Sequence, residues 1–308
     1  MSKEYDLIII GGGPAGLAAA LYGARGMVKT AIVEKQSPGG QILLTDLIEN
    51  YPGFPEGIEP TELVSRMQKQ AERFGAEVVL DEITSISREG ELWKAEGWGD
   101  DYLAKAIIIA TGSQPRKLRI EGEEKFTGKG VSYCAVCDGP FFKNVPVAVV
   151  GGGDSALSEA LYLTGHASKV YLIHRRQEFR AEKIWQKRVR ENPKIELVLD
   201  TVVKKIEGDN KVNRILLENV KTAEQSWLDV EAIFIFIGMI PNSQIVRDLV
   251  ELDERGRIKV NKKMETSAPG IFAAGDVCDI PLQQVSTAVG SGAVAATSAI
   301  EYIAKEFG

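Results

Sequence analysis

Histidine and cysteine are scarce in this sequence: its 308 residues include two histidines, His166 and His174, and three cysteines. A structural zinc site normally takes four Cys or His ligands, so this inventory is too thin for a zinc-binding scaffold. We therefore expect no metal site. Cys278 has no other cysteine close to it in the sequence, and we interpret it as a small buried hydrophobic residue.

Long hydrophobic runs and an excess of positive charge are absent as well. The longest apolar runs, such as residues 233–237, have the length of a strand and are too short to span a bilayer. The net charge of −6 argues against a general nucleic-acid-binding protein. The N-terminus leads into an apolar strand at residues 7–10 without a signal peptide. These observations predict a cytoplasmic protein that binds neither membrane nor nucleic acid.

A C-x-x-C pair, Cys134-Ala-Val-Cys137, contains two of the three cysteines. In a cytoplasmic chain such a pair is more often catalytic or metal-binding than structural. Asp138 follows directly, where a carboxyl group could act as general acid and base, although Asp138-Gly139 is also a common turn sequence. We favour a redox-active dithiol over half of a zinc site.

The chain repeats itself with a shift of 140 positions, which carries Gly11-Gly12-Gly13 onto Gly151-Gly152-Gly153. Each copy reads strand, glycine turn, helix, strand, which is the βαβ unit of a nucleotide-binding domain. Each copy later reaches a buried strand that ends in glycine, at residues 107–112 and 233–238. The pattern predicts an α/β fold with two Rossmann-like domains.

Two proline-containing crossings, at residues 114–116 and 240–242, are natural domain boundaries. The segment 271–276 and the small-residue helix after it do not resemble the second copy, so we expect them to complete the first domain. The second domain, residues 115–242, would then be inserted into the first, residues 1–114 and 243–308. The inserted domain carries the C-x-x-C pair.

The first glycine turn, Gly11-x-Gly13-x-x-Gly16, has a strand before it and a helix after it. These glycines allow the tight turn, the approach of a pyrophosphate and the close packing of helix on strand. The helix N-terminus offers partial positive charge to the phosphates. Glu34 ends the next strand about 20 residues later, where a carboxylate can bind ribose hydroxyls. Position alone does not distinguish FAD from NAD.

The second glycine turn has a basic cluster where the first has its carboxylate. The same shift places His174 at the position of Glu34, followed by Arg175, Arg176 and Arg180. Arginines bind a phosphate through charge-assisted bidentate hydrogen bonds, so we infer NADPH, bound through its 2′-phosphate. A solvated basic surface is the alternative, and it is our interpretation of the basic run at residues 183–190.

The motifs together resemble those of the low-molecular-weight, bacterial-type thioredoxin reductases, and they cover essentially the whole chain. The matching segments are GGGPAG at 11–16, ATG at 110–112, CAVCD at 134–138, GGGDSA at 151–156, HRRQEFRA at 174–181 and GD at 275–276. The resemblance implies a homodimer with FAD in the first domain, NADPH in the second, and thioredoxin as the disulfide substrate.

The resemblance also implies roles for individual residues. Cys137 would lie next to the flavin, Cys134 would attack the thioredoxin disulfide, and Asp138 would move the proton. The residues implied for FAD are Gly11, Gly13, Pro14, Ala15, Gly16, Glu34, Lys35, Gly40, Gln41, Asn50, Val79, Ala110, Thr111, Gly112, Gly275, Asp276, Gln284 and Val285. Those implied for NADPH are Gly151, Gly153, Asp154, Ser155, Ala156, Glu159, His174, Arg175, Arg176, Arg180, Ile237 and Gly238.

Phe141, Phe142 and Lys129 are the residues that the resemblance implies for thioredoxin docking. Packing is the default interpretation for the two phenylalanines, and solvation is the default for Lys129. One position departs from the family: many relatives carry arginine immediately before Gln284, where this chain has Gln283.

The leading hypothesis is therefore an enzyme that passes electrons from NADPH through FAD and the dithiol to thioredoxin. A thiol oxidase on the same scaffold is one alternative, although it would have little use for arginines that bind a phosphate. A reductase of another thioredoxin-like partner and a non-catalytic redox sensor also remain open.

Overall fold

The structure is a computed structural model that describes residues 2–44 and 47–308. The chain divides into two compact units. The first unit is formed by the chain up to Leu43, by Leu47–Gln114 and by Ile240–Gly308, and the second unit contains Pro115–Met239.

Both units combine strands with helices. The strands are β1 (Lys3–Ile10), β2 (Thr30–Glu34), β3 (Glu77–Leu80), β4 (Ile83–Glu89), β5 (Leu92–Gly97), β6 (Asp101–Ile109), β7 (Ser113–Pro115), β8 (Val131–Ser132), β9 (Pro146–Gly151), β10 (Lys169–Ile173), β11 (Ile195–Val198), β12 (Thr201–Gly208), β13 (Val212–Asn219), β14 (Gln225–Asp229), β15 (Ala232–Phe236), β16 (Met239–Pro241) and β17 (Ile271–Ala273). The α-helices are α1 (Pro14–Arg25), α2 (Pro60–Arg73), α3 (Glu123–Phe126), α4 (Ala135–Asp138), α5 (Asp154–Leu163), α6 (Lys183–Glu191) and α7 (Val285–Phe307). Short 3-10 turns lie at Gly40–Leu44, Gly139–Phe141, Gln244–Val246 and Gly275–Val277.

The main sheet of the first unit has the order β3-β2-β1-β6-β5-β4, and β17 pairs with β6. The pairs β1–β2, β1–β6, β2–β3 and β6–β17 are parallel, whereas β4, β5 and β6 are antiparallel neighbours. Leu7 and Ile9 pack into one hydrophobic cluster and Ile8 and Ile10 into another. Successive side chains of a strand point to opposite faces, so a strand covered on both faces is apolar throughout.

The second unit repeats this arrangement around a five-stranded sheet of order β11-β10-β9-β15-β8, in which all pairs are parallel. Val147 and Val149 pack against Leu157 of α5 on one face. On the other face, Val150 packs in one cluster with Ile215, which belongs to the three-stranded antiparallel sheet β12-β13-β14. The predicted α/β fold with two Rossmann-like βαβ units is thus confirmed.

The return of the chain to the first unit is confirmed too. Ile271, Phe272 and Ala273 of β17 pair in parallel with β6, and α7 contributes Ala295, Ala296 and Ala299 to the first core cluster. The connections that leave and re-enter the first unit, β7 and β16, pair with each other as a two-stranded ribbon. Among the described residues, no helix is both long enough and apolar enough to cross a membrane.

Candidate functional site

The glycine turn between β1 and α1 leaves open space at the N-terminus of the helix. Gly11 has φ +108°, and a Cβ there would lie 2.4 Å from the carbonyl oxygen of Ala110. A Cβ on Gly16 would lie 1.9 Å from the carbonyl oxygen of Gly11. Among the described residues, a Cβ on Gly13 would instead meet nothing within 4 Å, and no side chain caps α1. The N-terminal amides of α1 are therefore accessible to a phosphate.

Glu34 is held beside this turn at the end of β2. Its carboxylate accepts hydrogen bonds from Gly12 N at 2.6 Å and from Gln36 N at 3.0 Å. Val79 lies on the next strand, β3, where it pairs with Val33. A carboxylate fixed at this point could accept from ribose hydroxyls, as the sequence predicts.

Several other residues expected to bind FAD converge on the same edge of the sheet. A Cβ on Gly40 would lie 3.5 Å from Gly13 Cα, and one on Gly275 would lie 2.9 Å from the Cβ of Ala15. Ala110 follows β6 and donates its N–H to the carbonyl oxygen of Ile10. These contacts are expected where the carboxyl ends of parallel strands meet.

The remaining residues of the set lie around α7 and the end of β6. Gln284 is the N-cap of α7, which begins at Val285, and it accepts a hydrogen bond from Asn50 Nδ2 at 2.9 Å. The Thr111 hydroxyl donates to the carbonyl oxygen of Asn242 at 2.6 Å. Lys35 and Gln41 are exposed, and Gly112 has φ +64°.

Asp276 carries the least satisfied carboxylate of this region. Burial raises the pKa of its carboxyl group. In the part of the chain that the structure describes, Gln283 Nε2 donates to the Asp276 backbone, but no group donates to its carboxylate. A carboxylate without a donor can accept a hydrogen bond from a hydroxyl group of a ligand. With the open N-terminus of α1 and the fixed Glu34, the residues of the first unit fit FAD.

The glycine turn between β9 and α5 has the same geometry. A Cβ on Gly151 would lie 2.3 Å from the carbonyl oxygen of Phe236, whereas one on Gly153 would meet no atom of the described residues within 4 Å. Asp154 Oδ1 accepts from Glu182 N at 2.7 Å and so connects the start of α5 to the start of α6. Gly238, after β15, has φ +117°, and its side-chain position is open.

Four further residues expected to bind NADPH flank this turn. Ser155 is exposed on the first turn of α5, whereas Ala156 and Glu159 are buried on the same helix. Ile237 follows β15 and is half-buried.

His174 occupies the place of Glu34 but packs differently. A Cβ on Gly152 would lie 2.3 Å from His174 Cε1, so the imidazole ring lies directly against the turn. The His174 Nε2 atom lies 3.1 Å from the carbonyl oxygen of Glu178. Burial lowers the pKa of His174, the Glu178 hydrogen bond opposes this shift, and the nearby arginines strengthen it. A buried, neutral ring suits support of the turn better than direct contact with a ligand.

The three arginines of this segment point into solvent. Arg175, Arg176 and Arg180 are exposed, and within residues 2–44 and 47–308 their guanidinium groups make no ion pair. The backbone of the segment is nevertheless anchored, because Arg180 N and Ala181 N donate to the carbonyl oxygen of Gly152 at 2.8 and 3.2 Å. Unpaired guanidinium groups on an anchored loop fit the 2′-phosphate of NADPH.

The C-x-x-C pair forms a disulfide at the start of α4, with the two Cα atoms 5.4 Å apart. Cys134 is half-buried, whereas Cys137 is exposed and donates its N–H to Cys134 Sγ at 3.0 Å. Ser132 Oγ accepts from Cys134 N at 3.0 Å and donates to the Cys134 carbonyl oxygen at 3.1 Å. Among the described residues, no cluster of three or more Cys, His, Asp or Glu side chains could hold a metal ion.

A cavity of about 260 Å³ in the second unit is lined by residues that flank the C-x-x-C pair in the sequence, including Ser132 and Asp138. Asp138, Phe141, Phe142 and Lys129 all line it, which brings together one predicted catalytic residue and the three predicted docking residues. Phe141 is 81% exposed. Phe142 packs edge-on against Phe234 in the core, with ring centroids 5.9 Å apart.

Sequence reasoning missed several residues of these sites. Lys211 lines the cavity, and Ser132 brackets Cys134, but neither stands in a recognisable motif. Gly292 lets α7 approach α1, since a Cβ there would lie 2.1 Å from the Ala15 carbonyl oxygen. Only Gly292 had a sequence signal, the small-residue pattern of its helix. Cys278 is fully buried, as predicted, and burial raises its pKa.

Comparison with known proteins places these features in a family. The sequence pattern of the family described as Pyridine nucleotide-disulphide oxidoreductase matches residues 5–292. The thioredoxin reductase of Peptoclostridium acidaminophilum is 44% identical over 100% of this chain and 99% of its own length. That of Bacillus subtilis is also 44% identical, over 98% and 96% of the two chains.

Solved structures agree with the sequence comparison. The crystal structure of Lactococcus lactis thioredoxin reductase has a TM-score of 0.96 at 45% identity, and the match covers 98% of this chain and 99% of that one. The structure of T. acidophilum thioredoxin reductase has a TM-score of 0.93 at 34% identity, with coverage of 97% and 99%.

Proposed function

The chain belongs to the pyridine nucleotide-disulphide oxidoreductase family, and we propose that it acts within that family as an NADPH-dependent thioredoxin-disulfide reductase. The observation that carries this proposal is the Cys134–Cys137 disulfide, which lies in the same unit as an arginine-flanked glycine turn. That arrangement combines a reducible disulfide with a site for a phosphorylated nicotinamide coenzyme.

The cofactors are FAD and NADPH. In the proposal, the N-terminus of α1, Glu34 and Asp276 hold FAD, and the N-terminus of α5 with Arg175 and Arg176 holds NADPH. When bound, FAD supplies the two-electron transfer between the nicotinamide and the Cys134–Cys137 disulfide.

The dithiol passes its electrons on by thiol–disulfide exchange. The Cys134 thiolate attacks one sulfur of the partner disulfide, and the other partner sulfur leaves as a thiolate and takes up a proton. The Cys137 thiolate then attacks Cys134 Sγ, which releases the partner as a dithiol and restores the Cys134–Cys137 disulfide. In the proposal, the carboxyl group of Asp138, which lines the cavity described above, holds and returns the transferred proton.

The cavity lined by Asp138, Phe141 and Phe142 is the proposed docking site for thioredoxin. Phe141 is largely exposed and offers apolar surface for an interface, whereas Phe142 forms a fixed wall because its ring packs in the core. Lys129 adds a positive charge at the rim of the same cavity. In the proposal, Phe141 contacts thioredoxin, whereas Phe142 fixes the shape of the cavity.

Two broader assignments belong to the same proposal. The resemblance to thioredoxin reductases supports a homodimer, which sedimentation would detect as a species of twice the 33.6 kDa chain mass. A cytoplasmic location fits a catalytic C-x-x-C pair, because thioredoxin keeps thiols reduced in that compartment.

Anaerobic NADPH consumption by the purified flavoprotein, with and without oxidised thioredoxin, tests the function directly. We expect sustained consumption only with thioredoxin. We expect Cys134→Ser to reduce thioredoxin turnover to the background rate while NADPH still bleaches the flavin, because only the exchange thiol is lost. The control is Cys278→Ser, which removes the one cysteine outside the pair and should keep turnover.

Other results would assign other functions. A single stoichiometric bleaching without turnover would keep the cofactors and point to another acceptor. No flavin reduction by NADPH would contradict the donor and favour a thiol oxidase. Retained turnover in Cys134→Ser, with loss in Cys137→Ser alone, would reverse the roles of the two sulfurs.

A further inference from the structure

A buried carboxylate that bonds to the residue before Cys134 has no part in the chemistry described above. Glu123 is 3% exposed, at the start of the short helix α3. Its Oε1 atom accepts from Leu118 N at 2.8 Å and from the Tyr133 hydroxyl at 2.7 Å, and its Oε2 atom accepts from Arg119 N at 2.5 Å. Such a carboxylate is costly to bury without its donors, so each of these bonds matters.

Tyr133 connects this carboxylate to the redox pair because it immediately precedes Cys134. Its partly buried side chain packs, together with Leu118 and Ile120, against the hydrophobic cluster that contains Phe126. Burial raises the pKa of the Tyr133 hydroxyl, and the bond to Glu123 raises it further, so the phenol stays protonated and donates. Tyr133 is therefore held both through its ring and through its hydroxyl.

The next residue, Cys134, is held by further hydrogen bonds. Ser132 Oγ bonds to both the N–H and the carbonyl oxygen of Cys134, and Cys137 N donates to Cys134 Sγ. The backbone of Cys134 is thus held directly by the Ser132 hydroxyl and, through the preceding residue, by the Tyr133–Glu123 bond. The segment that donates to Glu123 is held by these two backbone hydrogen bonds, and within it Arg119 has a left-handed φ of +60°.

We propose that Tyr133 and Glu123 are positioning residues for the dithiol, which hold the backbone at Cys134 in the conformation that closes the disulfide. Holding two thiols at bonding distance raises their effective concentration and so favours the disulfide over the dithiol. Loss of the hydroxyl would free the backbone on one side of Cys134 and shift the equilibrium toward the dithiol. The inference rests on the proposed function only in taking Cys134 and Cys137 as the redox pair.

The test is the thiol–disulfide equilibrium of the holoenzyme in dithiothreitol redox buffers without NADPH, with the free cysteines alkylated and counted by mass spectrometry. Tyr133→Phe keeps the ring and removes only the hydroxyl. We expect the equilibrium constant for forming the Cys134–Cys137 disulfide to fall about three- to tenfold. A change of this size corresponds to part of the free energy that a hydrogen bond to a charged group contributes.

The matched control is Tyr102→Phe in the first unit. Tyr102 also donates to a carboxylate that accepts backbone amides, Asp81, at 2.8 Å, and it belongs to the first unit, whereas the redox pair belongs to the second. The equilibrium constant for disulfide formation in the Tyr102→Phe variant should equal that of the unmodified protein. Glu123→Gln, where circular dichroism shows it folded, should shift the constant at least as far as Tyr133→Phe, and the two changes combined should not add.

An unchanged constant in Tyr133→Phe would overturn the inference, and so would an equal shift in Tyr102→Phe or full additivity with Glu123→Gln. These readouts use no thioredoxin and no NADPH. A protein that fails to reduce thioredoxin but shows the Tyr133→Phe shift would contradict the proposed function and leave this inference standing.

Discussion

In the first unit, the Asp81 carboxylate accepts hydrogen bonds from several neighbouring groups. It accepts hydrogen bonds from the N–H groups of Glu82, Trp98, Gly99 and Asp100 and from the Tyr102 hydroxyl. Burial alone would raise the pKa of this carboxyl group, but the hydrogen bonds outweigh burial and lower it. The charged form therefore stabilises the turn between β5 and β6.

This shift predicts a pH-dependent local stability. A carboxyl group whose pKa is lowered by folding stabilises the folded state at pH values above its unfolded pKa of about 4. This stabilisation is lost as the pH falls through the pKa of the folded state. We expect Asp81→Asn to lower the free energy of local opening at residues 97–102 by about 1–2 kcal/mol at pH 7, a modest figure because the turn is partly exposed. Hydrogen exchange of peptides from this turn measures it.

The neighbouring Asp101 is the control for Asp81. Its carboxylate pairs with Lys94 at 3.0 Å on the surface, so Asp101→Asn should change the opening free energy by less than about 0.5 kcal/mol. The difference between Asp81→Asn and the unmodified protein should shrink below pH 4. A difference that persists unchanged at pH 3 would show that the charge is not its origin.

At the scale of elements, the glycine turn and the arginine segment of the second unit behave as one structure. Gly152 contacts the His174 ring, its carbonyl oxygen accepts from Arg180 N and Ala181 N, and Asp154 bonds to Glu182 N. The segment that would bind the 2′-phosphate is thus tied to the turn that would bind the pyrophosphate. A site built in advance loses little conformational entropy when it binds.

This arrangement predicts how coenzyme binding depends on the arginines. Changing both Arg175 and Arg176 to Ala should weaken 2′,5′-ADP binding by about 10- to 100-fold, because two charge-assisted contacts to phosphate are lost. Binding of 5′-ADP, which lacks the 2′-phosphate, should change less than about threefold. Isothermal titration calorimetry measures both ligands.

The control for the arginines is the exposed basic face of α6, which structure and sequence both assign to solvent. Changing Lys183 and Lys187 to Ala removes the same charge and should leave both affinities within about twofold, since exposed charges are screened. Equal losses for 2′,5′-ADP and 5′-ADP in the arginine variant would contradict the assignment to the 2′-phosphate.

At the scale of the whole molecule, each unit has hydrophobic clusters of its own. The clusters around Val149 and Ile233 consist of residues from the second unit, and those around Ile9 and Ile107 consist of residues from the first. The two ends of the second unit are also close together, because Arg116 N donates to the Gly238 carbonyl oxygen at 2.9 Å. Adjacent ends are what insertion of one domain into another requires.

We therefore expect residues 115–239 to fold when expressed alone. The fragment should show a cooperative thermal transition and should bind 2′,5′-ADP within about tenfold of the full chain, since turn and arginines lie inside it. Circular dichroism and calorimetry measure the two properties, and the arginine-to-alanine variant of the fragment is the control for binding. A fragment without a cooperative transition would show that the second unit depends on the first.

Much of the fold and part of the site could be predicted from sequence because the signals are local. Gly11 and Gly151 have positive φ, and Gly13 and Gly153 border open helix ends, as their spacing indicated. The core strands are continuous apolar runs because both faces are covered. Because the sequence repeats with a shift of 140 positions, the prediction of a βαβ unit applies to both copies.

The sequence by itself determined the two βαβ units and the residue types at the glycine turns, because each depends on neighbours a few positions apart. It also determined the insertion of one unit into the other, because the repeat of 140 positions leaves the C-terminal segment outside the second copy. Only the tertiary structure placed Lys211 in the cavity with Phe141, gave the two phenylalanines different surroundings and joined Glu123 to Tyr133. These contacts are set by how strands and loops pack, and a hydrogen bond between separate segments leaves no periodicity in either of them.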